Sequence, residues 1–522
     1  MFSMLATVAA LSIGALRADA QQDLMDVTSD TTYQVDVTNE HVQVDGTYSF
    51  RNNLAPRDLG NGTTEHSFFT TYHFIVPTSA RDFTAQANGV VLETTFLDRD
   101  FYDIAEVRFP QDLRYSDTLT LNVSYVIPDS GPRAEWGHAE ISSEYLELSL
   151  WAQGSPGQST VRVVLPSDYS VDLVGDFGAF AEASRSGEQV LTASGIADAG
   201  DFRGQLLAYN ENVRLENTSM TIHSGTAVVL SRPSDTEWRD FVVDALRNDL
   251  PVLERLIGIP WPHGNVVVEQ SNEPRRDGFG GWYDTSHNTI KFESASREVL
   301  LHEFSHGWFN GQFSRDRWIN EGLSEELASR TIEARGGDRP DPSWPDPTDS
   351  VRIPLGVWVR PATVSNDAER RAERYHYDAS WWVFRQITDD IGMDAFSDVL
   401  VEFNAVTAPA DRNWRTLFEL LDDTAVDDQL LDTQFGTYVS PSGIDVFQQR
   451  RAVLASLDVV FDETGFGDAG FEIPAAITRH MRAWEWAQAR PLVDDFAAFV
   501  PRMIALRERA AASSIDISYY ER

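Results

Sequence analysis

His302-Glu303-Phe304-Ser305-His306 sets two imidazoles four residues apart, with a carboxylate between them, in a stretch whose apolar residues recur at helical spacing. Positions i and i+4 share one helix face, so both rings can offer a nitrogen to the same metal ion. The 522 residues include no cysteine, which excludes thiolate ligands, disulfides and a cysteine nucleophile; any metal must be held by histidine and carboxylate. A hydrolytic zinc centre takes three protein ligands and keeps its fourth position open, so one more donor has to come from elsewhere in the fold. Trp318-Ile319-Asn320-Glu321-Gly322 opens a second predicted helix, and Glu321 can bring that donor across the helix pair. Glu325 lies one turn further on the same face, where it can accept a hydrogen bond from a ligating imidazole and fix the ring.

The segments HEFSHGWF and WINEGLSEE together resemble the gluzincin metallopeptidases of the aminopeptidase N and leukotriene hydrolase family. That resemblance implies one Zn2+ per chain, held by His302, His306 and Glu321, with Glu303 as the general base towards the attacking water. Fourteen residues separate His306 from Glu321, fewer than is usual in the family. Strict spacing selects Glu325 as the ligand; the Asn-Glu-Gly context selects Glu321, and a shortened loop is easily accommodated. The family also uses a tyrosine hydroxyl to stabilise the oxyanion, and Tyr377-Asp378-Ala379-Ser380 is similar to the stretch that carries it, with Tyr375 or His376 as alternatives. At the place of the family's amine-binding edge strand the chain reads Gly280-Gly281-Trp282-Tyr283-Asp284. Gly280, Gly281, Trp282 and Asp284 are the substrate-binding candidates, Asp284 standing where the family has a glutamate; the glycines serve equally well in a turn without a substrate role. The resemblance implies peptide or protein substrates and an aminopeptidase, with a zinc endopeptidase or a silent zinc-binding scaffold as the other readings.

Those residues need a frame to hold them. From Thr31 to Asn217 short runs such as TYQVDV, SFFTTYHFIV and YLELSLWA alternate polar and apolar residues between Gly, Pro, Asp and Asn clusters, which predicts a β-sandwich. Helical spacing then runs over Ser234–Leu256 and stops at Gly258 and Pro260. HGNVVVEQ, a glycine turn and NTIKFE read as a hairpin-like edge, and helices are predicted over Ala295–Asn310, Leu323–Ala334 and Glu369–Ile391. Four of the 23 prolines fall within PDPSWPDPTD, which must be a loop; from Asp394 onward the pattern is almost wholly helical.

The expected fold class is multidomain α+β: an N-terminal all-β sandwich over 21–225, a thermolysin-like zinc metallopeptidase domain over 226–405 by the resemblance, and a C-terminal α-helical domain over 406–522. Residues 4–16, MLATVAALSIGAL, followed by Ala18-Asp19-Ala20, fit a cleaved signal peptide over 1–20 and a secreted or periplasmic protein. Acidic residues outnumber basic ones by 81 to 42, a net charge of −39 that repels phosphate backbones and argues against a nucleic-acid partner. No later apolar run reaches the roughly 20 residues of a membrane span, so none is expected. The sequence does not fix the oligomeric state.

Overall fold

The computed structural model describes residues 25–515, apart from 61, 100–101, 134–137, 176–179, 186, 198, 200–203, 224, 277–278, 361–366, 409, 465–472 and 514; the expected signal peptide lies outside the described residues. The chain forms two compact units, Met1–Arg247 with Gly264–Leu300, and Asn248–His263 with Leu301–Arg522.

Strands dominate the first unit. Met25–Asp36 pairs antiparallel with His41–Asn52 along its whole length and parallel with Ser159–Pro166, at the middle of an eight-stranded sheet. A three-stranded and a four-stranded sheet share its core: Val27, Tyr33 and Phe50 pack in one cluster with Phe74, Val107, Leu148 and Leu206. Inward and outward residues alternate along Met25–Asp36 and His41–Asn52, the pattern of a sheet with one wet face. This is the expected sandwich, begun six residues earlier than Thr31.

The same unit holds a five-stranded sheet in the order Glu216–Ile222, Gly225–Ser231, Asn265–Gln270, Thr289–Phe292, Gly281–Asp284. Here the predicted hairpin is corrected. Asn265–Gln270 and Thr289–Phe292 are parallel neighbours, and the antiparallel partner of Thr289–Phe292 is the short edge strand Gly281–Asp284. Between them the chain turns at Asn288, which takes a left-handed φ of 50°. Period-two patterning marks strands but not their partners; Gly281–Asp284, which stands where the resemblance places an edge strand, lies at the edge of this sheet. Helix α1, Thr236–Asn248, buries Trp238, Val242, Ala245 and Leu246, and the Trp238 ring lies 5.0 Å from Phe292.

The single helix predicted over Ser234–Leu256 is two. α2, Leu250–Ile257, starts afresh because Pro251 has no N–H to continue a helix and fits the first turn of a new one. In the second unit, the end of α3, Arg297–Ser305, is followed by α4, Arg317–Ala334, and α5, Asp367–Ala405. α3 is shorter than the predicted Ala295–Asn310. Past Ser305 the turns tighten, Gly307 N donating to Phe304 O, and a Cβ on Gly307 would stand 2.2 Å from the Trp261 ring. α4 begins at Arg317, six residues before Leu323, so Glu321 sits in its second turn. α5 is interrupted at Gly392, whose φ of 79° and ψ of 163° are not helical, so the predicted stop at Ile391 marks a true break. The proline-rich 340s lack regular structure, and Trp414–Asp422, Asp428–Gln434, Asp445–Thr464, Ala475–Arg482 and Trp486–Ala512 are helices. Among the described residues no helix is long and apolar enough to cross a membrane.

α4 and α5 approach closely at Gly322, where a Cβ would stand 2.7 Å from both Ser380 O and Phe384 Cδ2. Beside this contact the fully buried Glu326 carboxylate accepts hydrogen bonds from Arg330, Arg339 and Thr388 on one oxygen and from Trp381 and Arg385 on the other. Gly322→Ala should therefore force the helices apart and cost about 1–3 kcal/mol, read as a lower urea midpoint; an unchanged midpoint would contradict the close packing.

Candidate active site

α3 and the turn after it carry His302, Glu303 and His306, and α4 brings Glu321 to them. His302 Nε2 and His306 Nε2 are 3.0 Å apart, and Glu321 Oε2 lies 3.5 Å from the first and 3.4 Å from the second. Among the described residues these three are the one group of His, Asp or Glu side chains whose donor atoms could hold a metal ion. Neighbouring ligands of a tetrahedral zinc with bonds of about 2.0–2.1 Å stand about 3.3 Å apart, so the spacing fits. Glu321 Oε2 is also buried without a hydrogen-bond partner, as an atom reserved for a metal would be. Two imidazole nitrogens and a carboxylate oxygen, with no sulfur, are a ligand set that suits zinc.

The second nitrogen of the His306 ring is hydrogen-bonded, and that of the His302 ring faces a carboxylate. His306 Nδ1 lies 2.8 Å from Phe309 O, a carbonyl that can only accept, so that nitrogen carries a proton and, in the neutral ring, Nε2 keeps its lone pair. His302 Nδ1 faces Glu325 Oε1 at 3.3 Å. Glu325 thus lies on the outer nitrogen of His302, whereas Glu321 lies on the inner nitrogens of both rings. Burial opposes charge on His302, yet Glu325 and Glu321 raise its pKa well above the ordinary value; burial likewise disfavours the Glu321 carboxylate, and the two histidines pull its pKa well below. Glu303 is buried, its Oε2 has no hydrogen-bond partner, and burial pushes its pKa up.

Tyr377 on α5 joins this group through Arg317. Arg317 Nη2 donates to Tyr377 Oη at 3.1 Å, and Arg317 Nε reaches Glu321 Oε1 at 3.5 Å. The two alternatives to Tyr377 are occupied elsewhere: Tyr375 Oη donates to Asp346 O, while His376 Nδ1 donates to Ala372 O and its Nε2 accepts from Ile353 N. Arg317 went unnoticed in the sequence, as did Trp358, which stacks beneath its guanidinium at 3.9 Å, and Glu373, 2.8 Å from Arg317 Nη2. The one local sign was an arginine four residues before Glu321, a spacing that lets the two meet on a helix.

In the first unit, Gly281 and Trp282 pair with Phe292 and Lys291 on the edge strand, which Gly280 precedes. Asp284 accepts from Ser286 N at 2.8 Å and sits 2.7 Å from His287 Nδ1, and these bonds hold its carboxyl below the ordinary range.

Each of two features gives a prediction. Glu325→Gln should keep the zinc but weaken its affinity by about 10- to 100-fold, whereas Glu321→Gln should abolish stoichiometric binding; competition with a chelator separates the two, and equal losses would contradict the geometry. Asp378, beside Tyr377, is pushed up from 3.8 to about 7, by burial first, with Glu325 adding to it. Between those values the folded protein holds a proton that the unfolded chain releases, so stability falls as pH rises through that window. Asp378→Asn should gain stability over the wild type from pH 3.8 up to about 7 and keep a constant advantage above it; a pH-independent difference in denaturation midpoint would contradict this.

No model of a known protein family matches the chain, and no curated protein sequence matches it. Among solved structures, the M1 zinc metallopeptidase from Deinococcus radiodurans is 17% identical, the match covering 80% of this chain and 95% of that one at a TM-score of 0.31. A glutamate-to-alanine mutant of M1 zinc metallopeptidase from the same organism gives 18% identity, 80% and 96% coverage and a TM-score of 0.30. The mutant bound to a Tyr-Ser-Ala substrate gives 18%, 80% and 95%, and 0.30. The chain is similar to these metallopeptidases.

Proposed function

We propose that this chain is an exported zinc metallopeptidase that hydrolyses peptide bonds. The observation that carries the reading is the convergence of His302 Nε2, His306 Nε2 and Glu321 Oε2 to within 3.5 Å of one another, with Glu303, whose Oε2 has no hydrogen-bond partner, adjacent in the chain. The export part of this reading is supported by the apolar run over residues 4–16.

A bound zinc ion would supply a Lewis acid that polarises the scissile carbonyl and acidifies a water. The remaining steps belong to the protein. Glu303 accepts the proton of the attacking water on its free carboxylate oxygen; burial raises its pKa and so strengthens it as a base. The same carboxyl then delivers that proton to the leaving amine. Tyr377 remains a neutral phenol, since burial pushes its pKa well above the ordinary value, and its O–H donates to the developing oxyanion. The Phe309 carbonyl holds His306 with Nε2 turned inward, and Glu325 Oε1, 3.3 Å from His302 Nδ1, faces the outer nitrogen of the other ring.

The family resemblance favours an aminopeptidase. One observation favours the endopeptidase instead: the Asp284 carboxylate, which would have to grip a substrate amine, already accepts two hydrogen bonds from its own turn. Digestion of a mixed peptide library, read by mass spectrometry with and without chelator, separates the two. Chelator-sensitive loss of N-terminal residues supports the aminopeptidase, internal cuts support the endopeptidase, and the absence of cleavage overturns both.

Glu303→Gln should retain one zinc per chain and lose nearly all turnover, and Tyr377→Phe should lower kcat by about 10- to 10³-fold with zinc content unchanged. Full activity in the first variant would defeat the mechanism; full activity in the second would remove the hydroxyl from it.

A further inference from the structure

We infer that Arg317 is a positioning residue of this centre, a single guanidinium that sets both which oxygen of Glu321 faces the imidazoles and where the Tyr377 hydroxyl points. The inference rests on the zinc-site reading above and extends it to a residue outside the HExxH and Asn-Glu-Gly motifs.

Arg317 opens α4, one helical turn before Glu321. Its Nε reaches Glu321 Oε1 at 3.5 Å, while the other oxygen, Oε2, is left without a hydrogen bond and lies against the two imidazoles. A carboxylate tethered at one oxygen offers the other in a fixed direction, and a planar fork does this better than a point charge. On its far side Arg317 Nη2 donates to Tyr377 Oη at 3.1 Å and stands 2.8 Å from Glu373 Oε2. A phenol that accepts a hydrogen bond keeps its own O–H free to donate elsewhere, and the accepted bond polarises it into a stronger donor.

The guanidinium is itself fixed in place. It lies 3.9 Å over the Trp358 ring, and Trp358 Nε1 donates to Glu373 Oε1 at 3.1 Å, closing a ring of contacts around the arginine. Its Nη1 reaches Val359 O at 3.5 Å. The Arg317 side chain is 11% exposed, so the fork is set by these partners rather than by solvent. An arginine needed only for helix stability or solubility would not be stacked, buried and shared between two groups of one reaction centre.

The test uses the full chain, zinc-loaded, with the peptide that the library digestion identifies, and compares Arg317→Gln, Arg317→Lys, Tyr377→Phe and the double variant Arg317→Gln/Tyr377→Phe. Arg317→Gln should lower kcat by about 10- to 100-fold with little change in KM, and weaken zinc affinity by about tenfold in chelator competition. Arg317→Lys keeps the charge without the fork and should fall between it and the wild type; it also stands in should the glutamine variant fail to fold. In the Tyr377→Phe protein the loss of Arg317 should cost about threefold less, or smaller still, because one of its partners is already gone. Strict additivity of the two substitutions, or full activity of Arg317→Lys, would overturn the inference. A wild-type protein that binds zinc but cleaves nothing would defeat the peptidase reading and not this one, which the zinc affinity then decides alone: an unchanged affinity in Arg317→Gln and Arg317→Lys overturns it.

Discussion

Two imidazole nitrogens and a carboxylate oxygen, all turned towards one buried point, are an arrangement that costs energy unless something positive shares it. His302 Nε2, His306 Nε2 and Glu321 Oε2 are held in that arrangement, and Glu321 Oε2 accepts no hydrogen bond within it. Most of the surrounding structure serves to keep these three atoms from turning away. The Phe309 carbonyl binds the outer nitrogen of His306, Glu325 faces that of His302 at 3.3 Å, and Arg317 reaches the outer oxygen of Glu321. Each inner atom is therefore presented by a partner on its opposite side. A metal ion is the occupant that such a set of donors fits.

Rigid packing stands behind those partners. Glu321 and Glu325 are one helical turn apart on α4, so anything that shifts α4 moves the proposed ligand and the residue behind His302 together. α4 is fixed to α5 by the close approach at Gly322 and by Glu326, whose five hydrogen bonds come from Arg330, Arg339, Thr388, Trp381 and Arg385. α5 in turn carries Glu373 and Tyr377, also one turn apart. The proline-rich loop before α5 is tied to it through Asp346 and Ile353, and its end supplies Trp358, the platform under Arg317. Packing of two helices thus becomes the placement of one carboxylate and one hydroxyl.

Local patterns made much of this legible. His302, Glu303 and His306 could be read because i and i+4 always share a face of a helix, whatever the rest of the fold does. Glu321 and Glu325 are one turn apart on one face, so periodicity alone cannot separate their roles; they separate only in three dimensions, by which nitrogen of His302 each one meets. The sandwich was legible from period-two alternation. Strand pairing was not, because Asn265–Gln270 and Thr289–Phe292 carry no mark of being parallel neighbours. Trp358 and Glu373 lie 41 and 56 residues beyond Arg317, and an arginine on a chain with 41 of them gives no local sign of a distant partner. The split between α1 and α2 was written in Pro251 and overridden by an otherwise continuous helical period.

The most direct test is X-ray absorption at the zinc edge on the full chain after zinc loading and removal of excess metal. The account predicts one tightly held zinc with scattering from two imidazoles at about 2.0–2.1 Å, one carboxylate oxygen at about 2.0–2.2 Å and one further light atom, with the imidazole signature reduced in His306→Ala. Zinc that washes out, or a shell of oxygens without imidazole scattering, would contradict it.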